Sequence, residues 1–203
     1  MTSHGPEFWE KAPDLFGLYL NPPEKAIVWL VDEKPSVQAK ARASSAKPPM
    51  PGFPERREPE YERNGTVVVF AGLNVHGRGV TDWVTGWSCP DNFVFFLWDL
   101  IDQTSLGMDL HCTVDSLSAH LTDKVAELLE HNPRVYLHFT PAHASWPNQV
   151  ELFFSILERR LLRRGEFASV DQLATRTIAF IRGNNRRAAP FRWTYEGRPL
   201  KAA

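Results

Sequence analysis

Apolar residues recur along this chain with two distinct periods. "AIVWLVDEK", starting at Ala26, is a continuous apolar run of strand length that ends at Asp32. "TVVVFAGLNVHGRG" and "VTDWVTGWS" read as two further strands joined near His76–Gly79, where Gly-Arg-Gly suits a hairpin. "MDLHCTVDS" is a fourth strand ending at Asp115, and "RVYLHFTP" a fifth. Elsewhere the spacing changes to steps of three and four, the period of an amphipathic helix. "PDNFVFFLWDLIDQ" has Asp91 as a candidate N-cap, and "LTDKVAELLEHN" has Thr122 as its cap with Pro133 just beyond its end. In "PNQVELFFSILERR" and the residue after it, Val150, Phe153, Phe154, Leu157 and Leu161 share one face. "SVDQLATRTIAFIRGNN" is a last helix, capped by Ser169 and ending near Gly183.

Three strands followed by alternating helices and strands predict a mixed α/β sheet with helices on both faces. Residues 1–25, with the short apolar piece "LFGLYL", read as a lead-in or linker. Residues 34–65, around "AKPPMPGFPERREPE", read as an irregular proline-rich loop, with Asn64-Gly65 as a turn before the second strand. Some thirty residues without periodicity are too many for an ordinary connection, which predicts a functional loop or flap.

Composition narrows the class. The chain has 203 residues, 43% hydrophobic and 12% aromatic, enough for one globular domain with a substantial core. Two cysteines, Cys89 and Cys112, are too few for a disulfide scaffold or a thiolate metal site. "MTSHGPEFWEKAPD" has no signal pattern, and no stretch reaches the ~18 apolar residues of a membrane span, so a cytoplasmic protein without membrane association is expected. The total charge of −1 hides an asymmetry: the net charge is −8 up to Pro133 and +7 from Arg134 onward. That predicts an acidic site beside a surface able to meet a polyanion, although basic solvated helix faces give the same count.

The candidate chemistry lies in three carboxylates. Asp32 and Asp115 each end an apolar strand, and Glu151 opens a helix whose remaining pattern is core-facing. Carboxylates at strand ends of a doubly covered sheet gather along one edge, where such sheets bind ligands. Three converging acids need a cation, and oxygen ligands suit Mg²⁺ or Mn²⁺. Two such ions serve phosphoryl transfer. Taken singly, each acid has an ordinary explanation too, as turn chemistry or as a first-turn acid favoured by the helix dipole.

The blocks "VWLVDEK", "PERREPEYERNGT", "FAGLNV", "LHCTVDSLSAH" and "LHFTPAHASWPNQVELFFSIL" together resemble the catalytic domain of DDE-superfamily transposases, in the bacterial insertion-sequence group related to mariner elements. The resemblance implies a ribonuclease-H-like, retroviral-integrase-type fold, with the DDE catalytic domain over residues 26–195 and a tail over 196–203. It implies Asp32, Asp115 and Glu151 as catalytic metal ligands for two Mg²⁺ or Mn²⁺ ions, the last two acids being separated by a mariner-like 35 residues. The implied activity is DNA strand cleavage and strand transfer during DNA transposition. Implied partners are DNA, as transposon ends and target, and a second copy in a homodimer. The family shows an Asn and a Lys at the second block where this chain has Ser116 and Leu121, which removes an amide and a charge near the site. Helix-turn-helix regions precede the catalytic domain in the family, so this chain is expected to be a fragment, a degraded copy, or a product that works with a separate helix-turn-helix polypeptide. The rival readings are a ribonuclease-H-like nuclease that only hydrolyses, and a non-catalytic nucleic-acid-binding remnant.

Around the triad, His120, Ser116 and Asn148 are candidates for supporting ligands or contacting substrate. Arg159, Arg160, Arg163 and Arg164 fall at i, i+1, i+4 and i+5, on one side of the Glu151 helix, and are candidate DNA-phosphate contacts. A solvated helix face explains that spacing equally well. Trp146 is a candidate for stacking on a base or for packing under its loop. Glu33 is expected on the strand face opposite Asp32 and is not counted as a ligand. His111, His120, His131, His138 and His143 fit no standard zinc spacing.

Overall fold

The computed structural model describes residues 14–43, 60–77, 79–87, 89, 91–115, 120, 122–140 and 149–188. Five strands form one sheet in the order β3-β2-β1-β4-β5. They are β1 (Ala26–Arg42), β2 (Tyr61–Asn74), β3 (Val80–Thr85), β4 (Asp109–Val114) and β5 (Val135–Phe139). β2 pairs antiparallel with β1 and β3, whereas β4 runs parallel to β1 and β5. The sheet is mixed, as the run of strands followed by alternating helices and strands predicts.

Helices cover both faces. On one side α2 (Asp91–Gln103) and α3 (Asp123–His131) pack on Trp29, Val31, Phe70, Leu110, Cys112 and Val114. On the other, α4 (Val150–Leu157), α5 (Val170–Asn185) and the helical residues 14–20, α1, bury Val28, Leu30, Val69 and Leu73. Successive β1 residues thus alternate between two cores, which is why that strand reads as apolar throughout. Residues 14–20 correct the lead-in expected over 1–25, because Leu15, Leu18 and Tyr19 are buried in the core.

The loop expected over 34–65 is narrower, because both flanking strands continue into it. β1 passes through a bulge in which Pro35 and Ser36 stand opposite Val68, between the pairs Lys34↔Val69 and Val37↔Val67. Proline is tolerated there because a bulge gives up ladder hydrogen bonds, and Ser36 takes a left-handed φ of 55°. Asn64-Gly65 is a second bulge, two residues opposite Ala39, and not a turn. Gly65 has φ 100°, and a Cβ there would sit 2.6 Å from Val170 Cγ2. The sequence signal for positive φ was genuine, but a bulge uses it.

Local capping places the helices. The Thr122 side chain accepts from the Val125 amide at the start of α3. At α5, Ser169 Oγ accepts from the Gln172 amide at 3.1 Å, while Gln172 Oε1 accepts from Ala168 N at 2.7 Å. This is a reciprocal capping arrangement. Ser169→Ala is expected to lower unfolding free energy by about 1 kcal/mol in urea denaturation, without changing the slope. α5 covers the expected stretch and ends at Asn185, two residues past Gly183, where the Asn185 side chain bonds both Val80 N and Val80 O.

Candidate active site

The parallel β1–β4 ladder sets the first two acids side by side. Its last pair is Leu30↔Thr113, and two residues further along each strand stand Asp32 and Asp115. Asp115 follows the carboxyl end of β4 and Asp32 stands beside it on β1, which continues past it, the two strands being ~4.8 Å apart. By alternation they share the sheet face that carries Val28 and Leu30, the face α4 covers. α4 presses Val150, Phe153, Phe154 and Leu157 into that core, which leaves Glu151 in its first turn at the rim. A cleft of about 800 Å³ is lined by Asp32, Glu33, Glu151, Glu158 and Arg159, among others.

Electrostatics bring Asp115 into the same group. The Asp32 carboxyl is pushed up from 3.8 to about 7, first by burial, with Asp115, Glu151 and Glu33 adding repulsion. The Glu33 amide, donating to Asp32 Oδ1 at 2.8 Å, opposes that rise. Asp115, Glu151 and Glu33 thus lie near enough to Asp32 for their charges to act on it. Glu33 was expected on the other face and set aside. It pairs with Phe70 of the α2–α3 core, whereas Asp32 pairs with Ala71 of the opposite core, so alternation holds and Glu33 reaches the cleft at its rim. Burial holds its carboxyl above the ordinary glutamate range, with His120 lowering and Asp115 raising it.

His120 is 1% exposed, its ring 4.1 Å from that of Phe93. Its Nδ1 lies 2.9 Å from Asp115 Oδ1 and 3.0 Å from Asp115 O. Both neighbours accept only, so Nδ1 carries the proton and donates to them. Ser116, Asn148, His143 and Trp146 lie outside the described residues.

The arginines do not share one side of a single helix. After Leu157 the chain continues as a π-helical segment, Glu158–Leu162, whose wider turn shifts the phase of the residues after it. Arg159 lines the carboxylate cleft and donates from Nε to Ser155 O. Arg163 and Arg164 line a separate cavity, and Arg160 is exposed. His111 and His138, on neighbouring strands, bond each other through Nδ1 and Nε2 at 2.9 Å, which accounts for two of the histidines without a metal.

As to fit for a metal, the donor set is all carboxylate, and Lys34 on the cleft wall is already paired with Glu158 at 3.5 Å. A proton held near pH 7 marks a space short of positive charge, which suits a hard divalent cation. Among the described residues no three His, Cys, Asp or Glu side chains stand close enough to hold an ion as they are. The acids border the space without closing on it.

The chain matches a family model described as DDE superfamily endonuclease over residues 27–174, a span that contains all three acids. No curated protein matches it significantly. Among solved structures, the Mos1 mariner transposase catalytic domain is 12% identical with a TM-score of 0.57, covering 91% of this chain and 88% of that one. The Mos1 mariner paired-end complex with Mn is 15% identical, TM-score 0.59, and this chain spans 59% of that protein's length. A chain of the simian T-cell lymphotropic virus intasome is 10% identical, TM-score 0.52, covering 87% of this chain. These likenesses are of fold, the ribonuclease-H-like sheet that transposases and retroviral integrases share. With the family match spanning most of its length, the chain belongs to the DDE superfamily endonucleases.

Proposed function

We propose that this chain is a transposase catalytic domain performing divalent-metal-dependent DNA strand cleavage and strand transfer, with Asp32, Asp115 and Glu151 as the metal-holding residues. The observation that carries this reading is that Asp32 on β1, Asp115 just past β4 and Glu151 on α4 border one space, near enough for the other two to raise the Asp32 carboxyl. Two bound Mg²⁺ or Mn²⁺ ions would supply an activated nucleophile and stabilise the departing oxygen. The protein's own part is to hold the geometry. Packing of α4 fixes Glu151, the His120 hydrogen bonds fix Asp115, and the Glu33 amide fixes Asp32. Arg159 on the same cleft wall would hold a non-bridging phosphate oxygen.

Cleavage and strand transfer are both in-line displacements at phosphorus. Water first attacks and a 3′-oxygen leaves; that 3′-hydroxyl then attacks a target phosphodiester, whose own 3′-oxygen leaves. Structural neighbours support the reading in kind: Mos1 has been captured as a strand transfer complex and, as a catalytic domain with raltegravir, with Mg and with Mn. Action as a homodimer on paired DNA ends, with a helix-turn-helix region supplied in the same or another polypeptide, belongs to this proposal. Among the described residues no helix is long and apolar enough to cross a membrane.

The test is nicking of supercoiled plasmid by the purified chain. Nicking in Mn²⁺ or Mg²⁺ that stops on chelation is the expected result. A folded chain that binds DNA yet leaves plasmid intact in both metals would overturn the enzyme and leave a binding remnant. Joining of a pre-cut 3′-OH oligonucleotide to plasmid separates strand transfer from hydrolysis alone.

A further inference from the structure

A second cavity, about 600 Å³, opens where the far ends of β1 and β2 meet the chain leaving the π-helical segment. Lys40 and Arg42 line it from β1, Tyr61 from β2, and Arg163 and Arg164 from the turn after that segment. Two of the acids nearby are already paired, Glu166 with Arg42 at 2.6 Å and Glu158 with Lys34. Lys40, Arg163 and Arg164 have no acidic partner among the described residues. Tyr61 stands 51% exposed beside them, an aromatic face that no core cluster claims.

The wall is held in place. The Phe167 amide donates to Lys40 O at 2.7 Å, tying the turn to β1. Arg176 packs over the Phe167 ring, 4.8 Å from its centroid, and donates to Glu166 O. At Gly165 an added Cβ would meet the Phe167 ring at 2.4 Å, so the turn depends on having no side chain there. The π-helical turn matters for the same reason. With regular α spacing Arg163 would follow Arg159 onto the carboxylate side, one turn further on. The wider turn sends the two to different cavities, and Glu158 lines both.

Cations without an acidic partner among the described residues, beside an exposed aromatic ring, offer what an unpaired nucleic-acid strand requires: charge for its phosphates and a face for one base. We propose that this cavity holds an unpaired stretch of the DNA strand whose scissile phosphate lies at the carboxylates, with Lys40, Arg163 and Arg164 on phosphates and Tyr61 stacked on a base. The proposal rests on the DNA-cleaving reading of the cleft. Arg163 follows Glu151 by twelve residues, so the strand would run from the cut along α4 and the π-helical turn to the cavity.

Anisotropy titrations of fluorescein-labelled single strands against the whole chain, over a range of salt, test it. The substituted side chains are exposed at the cavity mouth, and circular dichroism checks that the fold is kept. Arg163→Ala with Arg164→Ala should lower the slope of log affinity against log salt by about 1.4, two phosphate contacts' worth. Tyr61→Ala should weaken binding about tenfold, while Tyr61→Phe leaves it unchanged. Wild-type affinity and slope in all variants would overturn the proposal, and so would duplex bound as tightly as single strand with no effect of Tyr61→Ala. If the chain nicks plasmid and the cavity variants bind normally, the strand-holding site fails alone. If it never nicks and the variants still weaken binding, the cleavage reading fails and the site stands.

Discussion

Asp32→Asn is expected to abolish metal-dependent nicking and at the same time to raise the thermal stability of the metal-free protein at pH 8. The two effects have one cause. In the folded chain the Asp32 carboxyl titrates near 7 against its ordinary 3.8, because the cleft is partly dry and Asp115, Glu151 and Glu33 face it. A carboxyl whose folded pKa is raised favours the fold while it is protonated. Its contribution is complete below about pH 4 and is lost as pH rises through about 7. At pH 8 the wild-type chain therefore carries an ionised group it would rather protonate, at a cost of roughly 1–2 kcal/mol after solvent screening at an open cleft. Asparagine stays neutral, and its carbonyl still accepts from the Glu33 amide. Melting of the variant should thus exceed wild type by ~3–6 °C at pH 8 without metal, and match it near pH 4. Saturating Mg²⁺ or Mn²⁺ should reverse the order, since an ion bound only by the folded wild type at a hundredfold excess over its Kd stabilises by about 2.7 kcal/mol. A variant that melts below wild type at pH 8 in chelator would mean that Asp32 is a structural acid and not one held ready for a cation.

This pairing of lost activity with gained stability separates a binding site from ordinary surface charge. Exposed carboxylates change stability little when neutralised. Asp82 is a useful comparison. Its carboxyl is also raised, to about 6, first by burial, but Arg182 opposes the rise and Asp99 adds to it. Stability is lost as pH rises through about 6 there too, yet an arginine offsets part of the cost, whereas the charges acting on Asp32 are all acidic.

The parts legible in the sequence were those in which one physical signal dominates. Two-sided burial made β1 a continuous apolar run, and a change of period marked every helix from α2 onward. Asp32 and Asp115 were readable because each closes an apolar run, although β1 itself continues past Asp32 to Arg42. What the sequence concealed depended on register. Asn64-Gly65 carries turn chemistry, but whether positive φ serves a turn or a bulge is decided by the strand opposite, here Gln38–Lys40. Glu33 keeps to the face opposite Asp32, paired with Phe70, and what the sequence did not show is that it still reaches the cleft rim where β4 stops at Val114. The arginine spacing looked like one face because regular helical geometry was assumed, and nothing in "ERRLLRRG" announces a π-helical turn. The apolar piece before Ala26 read as part of a lead-in or linker, yet residues 14–20 fold because Leu15, Leu18 and Tyr19 have a sheet face to cover.

His120 joins the α2–α3 core to the site, and substituting it should separate packing from positioning. The ring fills space against Phe93 on one side and directs Nδ1–H at Asp115 on the other. His120→Ala removes both, so a loss of about 3 kcal/mol is expected, ~6–12 °C in melting temperature, together with a large loss of nicking. His120→Phe refills the space but has no donor; its stability should stay closer to wild type while nicking falls ~10–100-fold, the usual cost of releasing a ligand's hydrogen-bond partner. His120→Asn keeps an N–H near the position of Nδ1 but leaves a void beside Phe93, so its melting should drop while most nicking survives. The metal concentration giving half-maximal nicking adds a readout that packing alone would not move: it should rise for Phe and stay near wild type for Asn. Should Asn and Phe instead lose activity in proportion to their melting temperatures, His120 supports the fold only, and Asp115 is held without its help.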